Sequence, residues 1–161
     1  MNEPWGPHVT VAAVIAENGR YLVVEEETSS GLRLNQPAGH LEPGESLLEA
    51  VVRETREETA CGFTPQGLLG IYMTCVAQNS HEAETTYLRF AFTGTCDGRE
   101  EERALDTGIV RTLWMSRDEL WDSRSRHRSP LVMRCVEDHA SGRSKASLEL
   151  IHTDPSAIFR P

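Results

Sequence analysis

The sequence predicts an α/β fold in which a mixed β-sheet lies between helical layers, and three observations carry that prediction. Runs rich in Val, Ile and aromatic residues, some alternating with period two, recur along most of the chain. One strongly amphipathic helical segment interrupts them between Ser46 and Ala60. Further helix-start signals gather towards the C-terminal end, at Ser116 and Pro130. The 161 residues suit a single domain, residues 1–161, with a core over about 7–151 and a loosely packed tail over 152–161.

The elements follow in order. "HVTVAAVIAE", His8–Glu17, and "RYLVVEEE" flank Asn18-Gly19, a hairpin signal. "TSSGLRLNQPAG" is punctuated by Ser, Gly and Pro and reads as a loop or a very short strand. Pro43-Gly44 forces a turn, after which Ser46 and Glu49 have the spacing of a capping box. The helix then runs to about Ala60, with Gly62 positioned to stop it. "FTPQGLLGIYMTCVAQ" and "TTYLRFAFTG" are strands. In the second, Leu88, Phe90 and Phe92 share one face, and Tyr87, Arg89 and Ala91 the other, so one face meets the core and the other a pocket. "CDGREEERALDTG" reads as an acidic loop and "IVRTLWM" as a strand. Ser116 and Glu119 repeat the capping-box spacing, and a last helix spans about Ser129 to Ala140, with Pro130 in its first turn and Gly142 beyond its end.

Composition narrows the function classes. A net charge of −9 argues against duplex nucleic acid as a partner, because backbone binding needs clustered cations. No apolar run approaches the ~20 residues of a membrane span, and the N-terminus lacks the basic, apolar character of an export leader. Cys61, Cys75, Cys96 and Cys135 show no metal-site spacing and read as thiols in a reducing cytoplasm.

The helix raises the chemical question. At 100° per residue, Leu47, Leu48, Val51, Val52 and Thr55 form a core-facing stripe, while Glu54, Glu57 and Glu58 share an adjacent sector. Glu58 sits at the edge of the stripe, where its charge needs compensation. Arg53 and Arg56 project to the other side of the helix from Glu58, which leaves a divalent cation as the better partner. Mg²⁺ or Mn²⁺ takes oxygen ligands and keeps waters to exchange for phosphate oxygens. The plain alternative is a solvated acidic face.

Written as spacing, the segment is Gly39, five residues, Glu45, seven residues, then Arg53-Glu54-Thr55-Arg56-Glu57-Glu58. This resembles the Nudix box, G-x5-E-x7-R-E-U-x-E-E-x-G-U, at Gly39, Glu45, Arg53, Glu54, Glu57 and Glu58. Thr55 stands where a bulky apolar residue is usual, and Ala60 where the late glycine is expected. The likeness extends over about residues 7–151 through "PHVTVAAVI", "LVVEE", "NQPAGHLE", "SRDEL" and "RSPLV", and is strongest to a phosphatase branch of the family. Leu34 replaces the tryptophan usual in that branch before Asn-Gln-Pro, so an aromatic wall for the substrate's base is either missing or supplied elsewhere.

The resemblance implies an α/β/α sandwich and hydrolysis of phosphoanhydride bonds in nucleoside di- and triphosphates and in hydroxymethylpyrimidine pyrophosphate. Dinucleotide polyphosphates or nucleotide sugars are the alternative substrates, and a ligand sensor that has lost catalysis is a remote one. It also implies that Glu54, Glu57 and Glu58, joined by the Gly39 carbonyl, hold Mg²⁺ (or Mn²⁺), which neutralises phosphate oxygens and lowers the pKa of water. Arg53 then supports the site by pairing with Glu45, and Glu42 is either an outer ligand or a solvated loop acid. The proton acceptor is Glu54 or a loop acid among Glu100, Glu101, Glu102 and Asp106, with Asp106 preferred. Arg89 grips a phosphate or makes a surface ion pair. Tyr87 stacks on a base or packs at the rim. His40 contacts phosphate or makes a structural hydrogen bond. His81 and His127 carry no signal. The expected partner is a small phosphoanhydride, with monomer and homodimer both open.

Overall fold

The computed structural model describes residues 5–76 and 85–158. His81 lies outside the described residues. Strands β1 (His8–Glu17) and β2 (Arg20–Thr28) form the expected hairpin, with Asn18 and Gly19 both at positive φ, 50° and 75°. This is the geometry of the two-residue turn that matches strand twist. β3 (Gly31–Asn35) and β4 (Ala38–His40) follow, then α1 (Leu47–Thr59), β5 (Cys61–Val76), β6 (Thr85–Arg99), β7 (Ile109–Ser116), α2 (Arg117–Asp122) and α3 (Leu131–Ala140).

The sheet is mixed. β1 and β6 run parallel, from His8↔Tyr87 to Ile15↔Gly94, and all other strand pairs are antiparallel. β1 and β2 pair only near their turn, at Ala16↔Tyr21 and Glu17↔Arg20. Beyond that the sheet divides into two wings, β4-β1-β6-β5 and β3-β2-β7.

Helices cover both faces, giving the expected α/β/α sandwich. Ala50 and Val51 of α1 pack with Val11, Ala13, Ile15, Phe63 and Phe92. On the other face Leu120 of α2 and Leu131, Cys135 and Val136 of α3 pack with Val14, Val23, Leu34 and Ala91. Period two along β6 therefore assigns Phe92 to the α1 side and Ala91 to the α3 side. Burying each large apolar side chain contributes roughly 1.5–3 kcal/mol.

Four details differ from the sequence reading. β6 continues to Arg99, so Cys96–Arg99 belongs to a strand and the acidic loop begins at Glu100; pairing of Cys61 with Arg99 and Phe63 with Cys96 extends the ladder there. The segment after the hairpin holds two short strands, β3 and β4, instead of a loop or a single strand. Leu34 is fully buried in the α3-side core. A residue there contributes to packing and not to a wall for the substrate.

The fourth is the end of α1. Helical residues stop at Thr59, and Ala60 itself is the C-cap in the left-handed region, φ 58° and ψ 18°, whereas Gly62 is already part of β5. The turn needs a left-handed residue at position 60, where glycine is free of the Cβ clash. Ala60→Gly is accordingly expected to stabilise the protein by about 1 kcal/mol, read as a melting temperature about 2–4 °C higher. A lower melting temperature would show that the buried Ala60 methyl outweighs the backbone strain.

Candidate active site

The site is assembled on α1 and β4. Ser46 accepts from the Glu49 N–H at 3.2 Å and donates its own N–H to Glu49 at 2.8 Å, a reciprocal cap worth roughly 0.5–2 kcal/mol. Thr55, at a position where an apolar residue is usual, is fully buried because its hydroxyl donates to the Val51 carbonyl at 2.7 Å. A hydroxyl satisfied within its own helix is cheap to bury.

Arg53 organises the acids. Its Nε and Nη2 donate to the two Glu45 oxygens at 3.0 and 2.7 Å, and Nη2 also reaches the His40 carbonyl at 3.1 Å. Nη1 donates to Glu54 at 2.8 Å and to Glu57 at 3.1 Å. Hydrogen bonds donated to Glu45, and then to Glu54, hold the guanidinium proton more tightly than usual. The separation of Arg53 from Glu58 expected from the helical wheel holds, and the guanidinium turns instead to Glu54 and Glu57. Arg53 is long enough to bend back to residues one and four positions on.

Among the described residues Glu58 forms no ion pair with an arginine. It is 7 % exposed, and its Oε2 accepts the Ala38 N–H at 2.9 Å. Burial raises its pKa to about 8, with Glu54, Glu26 and Asp106 adding repulsion. Glu54 is raised too, chiefly by burial and against the pull of Arg53. Gly39 on β4 faces them so closely that a Cβ there would overlap the Glu54 carboxylate.

Among the described residues, no three His, Cys, Asp or Glu side chains already surround one point. Each of the three acids nevertheless keeps an oxygen without a protein hydrogen bond among those residues: Glu54 Oε2, Glu57 Oε1 and Glu58 Oε1. Hard, partly buried and mutually repelling carboxylate oxygens fit a divalent cation of the Mg²⁺ or Mn²⁺ type.

The remaining sequence candidates separate clearly. The Asp106 N–H bonds the Glu57 carbonyl at 2.9 Å, and its charge acts on both Glu54 and Glu58. Glu100 is turned to Arg56 at 2.7 Å, while Glu101, Glu102 and Glu42 are exposed. Arg89 makes no surface ion pair. It is 7 % exposed, with Nη1 on Gln36 at 3.2 Å, Nη2 on Asn35 at 3.4 Å and Nε without a partner among the described residues. Burial works against its charge. Tyr87 and His40 join His8 in a three-ring cluster with centroids 5.5–6.2 Å apart.

Arg89, Tyr87, His40 and Gly39 line one cleft of about 650 Å³ between the two wings of the sheet, together with Glu26, Arg33, Asn35 and Arg128. Glu26, Asn35, Gln36 and Arg128 escaped the sequence reading. Period two along "RYLVVEEE" and "GLRLNQ" marks which residues share a face, but not that this face turns towards a cleft.

The sequence model of the NUDIX domain family matches residues 5–134. The chain belongs to the Nudix family. It is a hydrolase of phosphoanhydride bonds, and Nudix hydrolases work with a divalent metal. The phosphatase NudJ of Escherichia coli strain K12 is 37% identical over 145 residues, covering 90% of each chain. A NUDIX hydrolase from Nitrosomonas europaea is 47% identical with a TM-score of 0.87, over 93% of this chain and 99% of that one. A MutT NUDIX hydrolase from Burkholderia pseudomallei, 19% identical with a TM-score of 0.68 over 83% of this chain and 98% of that one, shares the fold. No helix among the described residues of this Nudix protein is long and apolar enough to cross a membrane.

The charge of Glu58 yields a pH prediction. A carboxylate raised from about 4.5 to about 8 on folding holds a proton in the native state that the unfolded chain has lost. With chelator present, the contribution of Glu58 should therefore fall as pH rises from about 5 to 8, by on the order of a few kcal/mol. His40, His127 and His139, whose pKa values burial lowers, contribute in the opposite direction, so the effect is read as the stability of the wild type relative to Glu58→Gln. Glu58→Gln should flatten that dependence, and Mg²⁺ should raise the wild-type melting temperature more at pH 8 than at pH 6. A stability difference between wild type and Glu58→Gln that stays level or rises from about pH 5 to 8 would contradict the assignment.

Proposed function

We propose that this Nudix protein is a Mg²⁺-dependent hydrolase, with Mn²⁺ as a substitute, of nucleoside di- and triphosphates and of hydroxymethylpyrimidine pyrophosphate. The observation that carries the reading is the adjacency of two features: three acids that each keep an uncommitted oxygen, two of them set against Ala38 and Gly39, and a buried, under-paired arginine in the cleft that Ala38 and Gly39 also line. The likeness to the NudJ phosphatase supports the substrate class. Its setting is the reducing cytoplasm, in keeping with four free thiols.

Glu54, Glu57, Glu58 and the Gly39 carbonyl hold the cation, which supplies charge neutralisation at the phosphate oxygens and an acidified water. Arg53, clamped by Glu45, keeps Glu54 and Glu57 in position. Arg89 donates to a phosphate oxygen and gains the strong acceptor that two long amide contacts do not give it. Asp106 accepts the proton as water attacks phosphorus and the bridging oxygen leaves with the departing phosphate or nucleotide. His40 and Tyr87 border the ring of the substrate.

A phosphate-release panel with Mg²⁺ tests the reading, using nucleoside di- and triphosphates, hydroxymethylpyrimidine pyrophosphate, dinucleotide polyphosphates and nucleotide sugars. Preferential turnover of the first two groups is expected. Preference for dinucleotide polyphosphates or nucleotide sugars would replace it with the alternative substrate class.

A further inference from the structure

A carboxylate in a cleft built for a polyanion is electrostatically out of place unless it meets a part of the substrate that is not phosphate. Glu26 is such a carboxylate. It lies on β2 and lines the cleft with Arg89, His40 and Tyr87, and its side chain is 19% exposed. Both of its protein contacts fall on one oxygen: Oε1 accepts from Asn35 Nδ2 at 3.4 Å and lies 3.7 Å from Arg128 Nε. Oε2 has no protein partner among the described residues.

The neighbours fix what Oε2 can take. Asn35 is committed on both sides, donating to Glu26 and accepting from Arg89 Nη2, so it cannot turn to present another donor without breaking one contact. A phosphate oxygen brought to Oε2 itself would meet a like charge. A neutral N–H donor satisfies the oxygen without adding negative charge, and the three-ring cluster of His8, His40 and Tyr87 at the same cleft offers aromatic contact for a flat heterocycle.

We propose that Glu26 is a specificity-determining residue, accepting a hydrogen bond from the exocyclic amino group of the substrate's heterocycle and so selecting amino-bearing over keto-bearing rings. This rests on the hydrolase reading above for the kind of substrate, but concerns binding of the ring alone. A ring that carries a carbonyl at that point would set oxygen against oxygen, which a buried polar site rejects more strongly than a missing methylene.

The test measures binding of product-like monophosphates by calorimetry, so that it does not depend on turnover. CMP and UMP form one amino/keto pair, and AMP and IMP another. The wild type should favour the amino member of at least one pair by about 10- to 100-fold, the range for a hydrogen bond to a charged group. Glu26→Gln, whose amide can donate to a carbonyl, should erase or invert that preference, and Glu26→Ala should erase it. Equal wild-type binding within both pairs, absence of binding by all four, or a preference that survives in Glu26→Gln overturns the proposal. So does a fall in kcat with the binding ratios untouched, which would place Glu26 in the chemistry. Failure of the phosphate-release panel alone would remove the proposed substrate range and leave these ratios to decide the role of Glu26.

Discussion

Glu57→Gln is expected to lower kcat by at least about 10²-fold at saturating substrate and Mg²⁺. Glu57 sits one turn beyond Arg53, with Oε2 on that guanidinium at 3.1 Å and Oε1 uncommitted. Glutamine keeps the shape of the side chain and can keep the Arg53 contact, so the fold should persist and the melting temperature should barely move. What is lost is a full negative charge beside two others, and with it part of the attraction for a divalent cation. The two effects separate in measurement: kcat at high Mg²⁺ reports the transition state, and a Mg²⁺ titration reports affinity. An effect below threefold on kcat, with unchanged Mg²⁺ dependence, would remove Glu57 from the metal site.

Gly39→Ala should cost a comparable factor, about 10²- to 10³-fold in kcat/KM, though it adds only a methyl group. The reason is steric, because the space for a Cβ is taken by the Glu54 carboxylate. Glu54 must leave, and its departure breaks the 2.8 Å contact with Arg53 and alters the donor set that the cation requires. The backbone of Gly39 is in an ordinary β-ladder with Val11, so alanine brings no conformational strain of its own. Displacements of this size commonly cost two orders of magnitude where reacting groups must be held in register. Activity within threefold of wild type would mean that Glu54 has room to move aside and does not act from the position seen.

Much of this was legible in the residue order, because the helix and its caps are local devices. Ser46 and Glu49 meet at the spacing that three residues of helix impose, and so do Ser116 and Glu119. The alternation from Tyr87 to Phe92 likewise separates two sides, but the side expected to meet a pocket does so only at Tyr87 and Arg89, and Ala91 on the same side lies in the α3-side core. Arg53 is an intermediate case: its pairing with Glu45 was implied by the resemblance to the Nudix box, but its reach to Glu54 and Glu57 depends on rotamers that a helical wheel does not contain. Residues contributed by other strands were out of reach. Glu26, Asn35 and Arg128 are separated in the chain by up to a hundred residues, and only the pairing of β2 with β3, and of Leu34 with His127, brings them to one wall. Ala60 illustrates the converse. A missing glycine was visible, yet only the backbone revealed that the left-handed turn is kept and carried by alanine.

The division of the sheet has a consequence for how such an enzyme can change. Gly39 stands on the β4-β1-β6-β5 wing, against the helix that carries Glu54, Glu57 and Glu58, whereas Glu26 and Asn35 stand on the β3-β2-β7 wing. Strand pairing between the two is confined to the pairs next to a two-residue turn, and side chains complete the junction, Arg89 of β6 donating to Asn35 of β3. Cleft positions on β2 and β3 can therefore be varied without touching α1 or β4, while His40, Tyr87 and Arg89 keep part of the substrate contact on the other wing. The chain is in this respect a tool with an interchangeable jaw, and directed evolution of new substrate ranges should begin on β2 and β3.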